Sequence, residues 1–245
     1  GYVDQLSRIG KKDLLRQSIQ TALDHNCHIF SFLTVQRDPY GDLYEQAEKK
    51  GLHITIPSIS LKEAQYSIQA GSPHGPVDVP VLGIFGTSAQ QGKFTLQLAL
   101  RRQLLQKGYK IGQIGTEHHS ALFGMDFSFP IGYATPLSLP VQWYVPYLDF
   151  KMREICHQTH PDIILVGAQS GTIPYDVHEH STHSLSSISF LLGTKPDACI
   201  LVINRIDADA SSTMKPVKSV SSSYWRTILR SVRAISFQSK WRMSS

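Results

Sequence analysis

Long apolar runs are missing from this chain of 245 residues. A helix that crosses a bilayer needs about 20 consecutive apolar residues, and no stretch approaches that length, so no membrane partner is expected. The first residues also lack the basic start and apolar run of a secretory leader. A cytoplasmic location is therefore the expectation. Cysteine is scarce. Cys27, Cys156 and Cys199 have no close pair and no metal-ligand spacing, which excludes a disulfide scaffold and a zinc site built on them; they read as three reduced thiols in or near the core. Acidic residues stop at Asp209, whereas Lys215, Lys218, Arg226, Arg230, Arg233, Lys240 and Arg242 follow it. The net charge of +5 is thus concentrated near the C-terminus. That region reads as a solvated or poorly ordered end, with contact to RNA or anionic lipid as the other reading, and nucleic acid is not the expected partner. There is no HExxH, and Ser170 and Gly171 do not complete a G-x-S-x-G elbow.

What is present is one continuous strand, turn and helix in VLGIFGTSAQQGKFTLQLALRRQLLQKG, Val81 to Gly108. Val81 to Phe85 reads as a buried strand ended by Gly86. Leu96, Leu98, Leu100, Leu104 and Leu105 give the following helix an apolar side, and Gly108 is its expected C-cap. A turn in that place aims backbone N–H groups and the positive end of the helix at a phosphate, whose charge Lys93 can also neutralise. The common phosphate loop has four residues between its glycines and Ser or Thr directly after the lysine. Here five residues separate Gly86 from Gly92, Phe94 follows Lys93, and the hydroxyl arrives one position later at Thr95. A solvent-facing Lys93 on an ordinary turn is the competing reading.

Taken in order, Lys12 to His25 reads as a helix, His28 to Val35 as a strand, Asp42 to Lys50 as a helix ended by Gly51, and Leu52 to Ile56 as a strand. This is a small alternating segment that begins abruptly, as if part of a domain were absent. Pro57 to Pro80, with Gly71, Pro73, Gly75, Pro76 and Pro80, reads as a linker or long loop. After the central helix come a strand at Lys110 to Gly115, an aromatic-rich ordered loop or lid at Ala121 to Val145, and a helix at Tyr147 to His157. A strand at Asp162 to Val166, ended by Gly167, precedes a polar loop at Ala168 to His183. Leu185 to Leu192 reads as a helix closed by Gly193, and Ala198 to Ile203 as a strand. Tyr224 to Val232 looks helical and Ala234 to Phe237 is a short strand; the interval before them has no assignment. Strands with little alternation, separated by helices, predict an α/β domain with a mostly parallel sheet covered on both faces. The expected division is 1–56 as a partial Rossmann-like α/β segment, 57–80 as linker, and 81–245 as a three-layer P-loop NTPase-like domain.

Several side chains are placed for chemistry above such a sheet. The backbone of Gly86, Thr87, Ser88, Ala89, Gln90, Gln91, Gly92, Lys93, Phe94 and Thr95 would hold phosphates, Lys93 would bridge their oxygens, and Thr95 would approach magnesium. Glu117, just after a strand, is the leading carboxylate for that ion, with a surface or lid ion pair as its alternative. His118 and His119 follow one strand; His178, His180 and His183 lie in the loop after another. Substrate binding or acid-base work by His118 or His178 is weighed against a transition metal and against ordinary loop hydrogen bonding. Asn204 and Arg205, after a strand, could recognise a base or a substrate carboxylate, or make a structural loop contact. Asp207 reads as a base contact or a cap.

GTSAQQGKFT resembles the long phosphate loop of dethiobiotin synthetase and, more closely, that of a P-loop family that includes DgcN of D-glutamate catabolism. LRQSIQTALDHNCHIFSFLTVQRDPYGDLYEQAEKKGLHI and DIILVGAQSGTIPYDVHEHSTHSLSSISFLLGTKPDACILVINRID resemble further segments of it, so the likeness covers Leu14 to Asp207. The resemblance implies a fuller Rossmann-like domain at the start, of which Gly1 to about Ile56 would be a remnant. It also implies an acidic role near magnesium for Asp149, in LDF, for which a helix N-cap is the plain alternative. Relatives carry a phrase similar to EGQGS; this chain has GAQSG, with Gly167 in place of Glu and Gln169 in register. The aromatic insertion after Gly124 is also longer.

The leading expectation is an ATP- and magnesium-dependent phosphoryl-transfer or ligase-type enzyme acting on a small anionic, amino-acid-like or carboxylate substrate. The resemblance implies an alternative, a coenzyme A-dependent N-acyltransferase of D-glutamate type with acetyl-CoA in place of ATP. The third reading is a nucleotide-binding regulatory protein without turnover. A homo-oligomer is left open.

Overall fold

The computed structural model describes residues 13–32, 35–70, 75–87, 91–131, 137–170 and 185–203, and the backbone of 233–236. The chain opens with helix α1 (Leu14–Asp24), whose N-cap Asp13 accepts from the Arg16 amide at 2.8 Å. Strand β1 (Ile29–Phe30), helix α2 (Arg37–Lys49) and strand β2 (Ile54–Thr55) follow, and the two strands pair in parallel. Ile19, Leu23, Val35, Leu43, Ala47 and Leu52 bury one another in a core of their own. The two strands are much shorter than their apolar runs suggested.

The stretch expected to be a linker contains helix α3 (Leu61–Gln69). Ser60 caps it by accepting from the Glu63 amide at 3.1 Å, and Ile59 and Ala64 are buried in the main core. Glu63 then accepts a hydrogen bond from the Tyr147 hydroxyl at 2.9 Å.

Strand β3 (Val81–Gly86), helix α4 (Lys93–Gln106), strand β4 (Ile111–Gly115) and edge strand β5 (Phe127–Ser128) come next. They are followed by helix α5 (Tyr144–Thr159), strand β6 (Ile163–Ser170), helix α6 (Leu185–Thr194), strand β7 (Ala198–Val202) and strand β8 (Arg233–Ser236). Six strands form one sheet in the order β5-β4-β6-β3-β7-β8, and every described pairing is parallel. Alternation decides what each face meets. Val81, Phe85, Ile164 and Val166 join a core with Tyr147, Leu148, Met152, Phe190 and Leu191 of α5 and α6. Leu82, Ile84, Ile163 and Leu165 turn the other way, onto Leu96, Leu100 and Leu104 of α4. The result is three layers, helix on sheet on helices.

Part of the aromatic stretch after β4, expected to be an ordered loop or lid, joins the sheet instead. Phe127 and Ser128 pair with Ile114 and Gly115, and Phe129 is fully buried against Tyr144, Tyr147 and Phe190. A two-residue strand is too short to show alternation, which is why its sequence reads as a loop. Helix α6 continues through Gly193, where a Cβ would stand 2.6 Å from that of Leu148. All three cysteines are free: Cys27 is exposed, a correction to its expected burial, while Cys156 is buried. Burial pushes the Cys199 thiol up to about 12, which leaves it protonated and unreactive near neutral pH. Among the described residues no helix is long and apolar enough to cross a membrane.

Candidate functional site

At the C-terminal end of β3 the chain leaves the sheet between its two neighbours. The Thr87 amide donates to the Val202 carbonyl at the end of β7 (3.2 Å), and Gln91 Nε2 donates to Thr87 Oγ1 (2.7 Å), drawing the turn closed. Gly92 opens α4 with φ of 87°, a left-handed conformation that suits glycine. It brings no side-chain cap, and the first turn of α4 has no acidic residue. Such a helix start favours an anion.

Lys93 is the first residue of α4, and its stem folds back over Gly86. A Cβ on Gly86 would lie 2.6 Å from Lys93 Cδ and 3.1 Å from Gln91 Oε1, so the glycine makes room for the lysine. The side chain therefore lies over the end of β3. Burial holds the Lys93 ammonium below the ordinary lysine value, and the charge of Glu117 offsets part of that cost. Glu117 is held by its carbonyl, which accepts from Ser128 Oγ (2.8 Å) and from the Ser120 amide (3.0 Å). Burial likewise pushes the His118 imidazole down, with Glu117 opposing and His119 adding to the effect. His118 Nε2 is buried and has no hydrogen-bond partner among the described residues. His119 has a different part: its ring meets those of Phe94 (4.8 Å between centroids), Phe32 (5.4 Å) and Phe123 (5.7 Å).

Residues 67–224 match the family model described as "Domain of unknown function (DUF1611_C) P-loop domain". The chain belongs to the DUF1611 family. It is a P-loop nucleotide-binding domain, and its parallel sheet with helices on both faces is the three-layer form of that fold. No curated protein matches the sequence. Among solved structures it is similar to a DUF1611 family protein from Anabaena variabilis, with 13% identity and a TM-score of 0.59. That match covers 92% of this chain and 64% of the other, so the chain spans a little under two thirds of that protein's length. The signal recognition particle receptor FtsY from Elizabethkingia anophelis gives 15% identity and a TM-score of 0.36 over 66% of this chain and 52% of that one. The family model carries the P-loop assignment; it points neither to dethiobiotin synthetase nor to the D-glutamate proteins.

P-loop sites ordinarily hold magnesium through a hydroxyl beside the lysine and a nearby carboxylate. In this DUF1611 chain the described residues bring a carboxylate, Glu117, near the lysine and no hydroxyl directly after it. Phe94 follows Lys93 and spends its ring on His119 and Phe123. Thr95 lies two residues from Lys93, about 200° around the helix at 3.6 residues per turn, and is exposed. Asp149 sits inside α5, not at its N-cap, and accepts from Lys195 Nζ and Arg153 Nε at 2.8 Å each. Burial alone would raise its carboxyl; the two cations outweigh this and hold it below the ordinary range. Lys195 precedes β7, at the sheet end opposite Gly86. Among the described residues no group of three or more His, Cys, Asp or Glu is placed to hold a metal. Glu117 is the expected ligand that stays near the turn, facing the Lys93 charge.

Gln169 is half-buried and its Nε2 donates to the Thr116 carbonyl at 3.4 Å, which ties the end of β6 to β4. Ser88, Ala89, Gln90, His178, Asn204 and Arg205 lie outside the described residues. One residue went unnoticed in the sequence. Gln97, one helical turn after Lys93, is 2% exposed, donates from Nε2 to the Ile114 carbonyl at 3.0 Å and fills the space over Gly167. The signal was there: Lys93, Gln97 and Arg101 recur at i, i+4 and i+8, a polar stripe along one side of the helix.

Proposed function

We propose that this chain binds the phosphates of a nucleotide-containing donor at the Gly86–Lys93 turn and transfers a group from it to a small anionic, amino-acid-like substrate. The observation that carries the reading is the Lys93 stem lying across Gly86 at a helix start without a side-chain cap. Two donors suit it. With a coenzyme A thioester the reaction is N-acylation, the activity implied by the resemblance to the D-glutamate proteins. The substrate amine attacks the thioester carbonyl, the C–S bond breaks, and coenzyme A leaves as the thiol. The amine must first shed a proton, and an imidazole held neutral by burial beside Glu117 can take it; this favours His118 as the base and acyl transfer as the chemistry. With ATP the reaction is phosphoryl transfer or a ligase step, in which Lys93 and the helix dipole meet the charge that develops. The test is a thermal-shift and calorimetric comparison of acetyl-CoA with ATP, followed by turnover with D-glutamate and other small amino acids. Stabilisation by acetyl-CoA with acylated product supports the first donor. Stabilisation by ATP alone rejects it, and no response to either by folded protein removes the reading.

A further inference from the structure

We propose that the rings of Phe32, Phe94, His119 and Phe123 receive the side chain of the acceptor, which makes the preferred acceptor an amino acid with an apolar, ring-bearing side chain. The inference rests on the group-transfer reading above and names the substrate class of that same site.

Three separate parts of the chain supply these rings. Phe94 stands in the first turn of α4, directly after Lys93. His119 follows His118 beyond β4, and Phe123 ends the short 3₁₀ turn that comes next (Ser120–Phe123). Phe32 comes from the N-terminal segment, two residues past the end of β1. Their planes cross steeply: 72° between Phe94 and His119, 80° between Phe94 and Phe123, and 54° between Phe32 and His119. Edge-on and tilted packing of this kind leaves ring faces that the rings do not cover for one another. Exposure separates the cluster from ordinary core. Phe129 and Phe190 are fully buried, whereas Phe32 is 47% exposed and Phe123 50%, and Leu122 extends the same apolar surface.

The chemistry beside the rings decides the occupant. His118, the base in the acyl-transfer reading, is the chain neighbour of His119, and consecutive Cα atoms lie about 3.8 Å apart. An acceptor whose amine lies at His118 therefore has the rings within reach of its side chain. Glu117, His118 and His119 all follow β4, so the amine and the rings share one side of the turn. Phe32, Phe94 and Phe123 offer carbon surface and no hydrogen-bonding group, so they select by apolar area and shape. The second carboxylate of a glutamate would lose water against them with nothing returned.

The experiment is calorimetry of the full chain with both enantiomers of phenylalanine, leucine and glutamate, each in the presence of coenzyme A and of ADP, on wild type, Phe123→Ala and Phe32→Ala. The variants lie on different elements at half-exposed rings, and each is used once its cooperative melt matches wild type. Phenylalanine bound about tenfold or more tightly than glutamate supports the inference. A loss of about tenfold for phenylalanine in the variants, with glutamate unchanged within about threefold, supports it further. Glutamate bound as tightly as phenylalanine, or phenylalanine affinity unchanged in both variants, overturns it and leaves the rings as a contact with the N-terminal segment. Variants that weaken ADP but not inorganic pyrophosphate also overturn it, since the rings then serve the nucleotide base. Binding of coenzyme A or ADP with no amino acid bound overturns this inference alone; no response to any of these ligands by folded protein defeats the group-transfer reading itself.

Discussion

Burial holds the Lys93 ammonium below the ordinary lysine value, and the Glu117 charge opposes that shift. A phosphate bound beside it would favour the charged form too, so ligand binding and lysine protonation are expected to be coupled. The sign follows: below the depressed lysine value the ammonium is present and attracts the anion, and as pH rises through that value the attraction goes. Phosphate affinity is expected to fall as pH rises, and to do so at lower pH than an exposed lysine would allow; calorimetry from neutral to alkaline pH checks it. His118 runs the other way. Its imidazole is held below the ordinary 6.5, so base catalysis is expected to persist into mildly acidic buffer and fail only once pH drops through the lowered value. His118→Asn is expected to cut acyl transfer by about 10²-fold and remove that acid limb from the rate profile. Gly167→Ala drives a methyl into the Gln97 amide; a loss of about 1–3 kcal/mol in chemical denaturation is the expected outcome.

Among the elements, β3 and α4 could be read directly because their signals are long and agree with one another: a buried run, two glycines and a leucine face. Helix α3 was hidden by its surroundings. Ser60 and Glu63 have the spacing of a capping box before Ala64 and Ile68, but the glycines and prolines that follow suggest a loop, and nine residues are few for a periodic pattern. Tertiary contact decides its place: Ala64 enters the main core and Glu63 receives the Tyr147 hydroxyl. Ser60→Ala and Tyr147→Phe are each expected to cost about 1 kcal/mol, a drop of about 2–4 °C in Tm for a chain of this size. The aromatic segment misled for the opposite reason. Phe127 and Phe129 are rich in apolar surface but too briefly extended to show a period, so the order of that stretch was legible while its role as sheet edge and core was not.

Across the whole molecule, a parallel sheet gathers the ends of β3, β4, β6 and β7 at one edge, and the site is assembled there from residues far apart in sequence. Lys93 and Glu117 could be picked out beforehand because each sits just past a strand end or turn. What the one-dimensional pattern does not contain is direction. It could not say that Thr95 faces away from Lys93, that Asp149 is taken by Lys195 and Arg153, or that His118 and His119, adjacent in the chain, divide into a buried polar group and a ring in an aromatic cluster. The N-terminal segment has a core of its own and reaches the neighbourhood of the turn through Phe32, whose ring meets His119. The claim on which all of this depends is that the turn is an anion site centred on Lys93. Isothermal calorimetry of acetyl-CoA and of ATP against wild type and Lys93→Ala measures it most directly. The expected result is saturable binding of at least one of them to wild type, weakened about tenfold or more in the variant; equal affinity in both proteins, or no binding by a folded wild type, would contradict it.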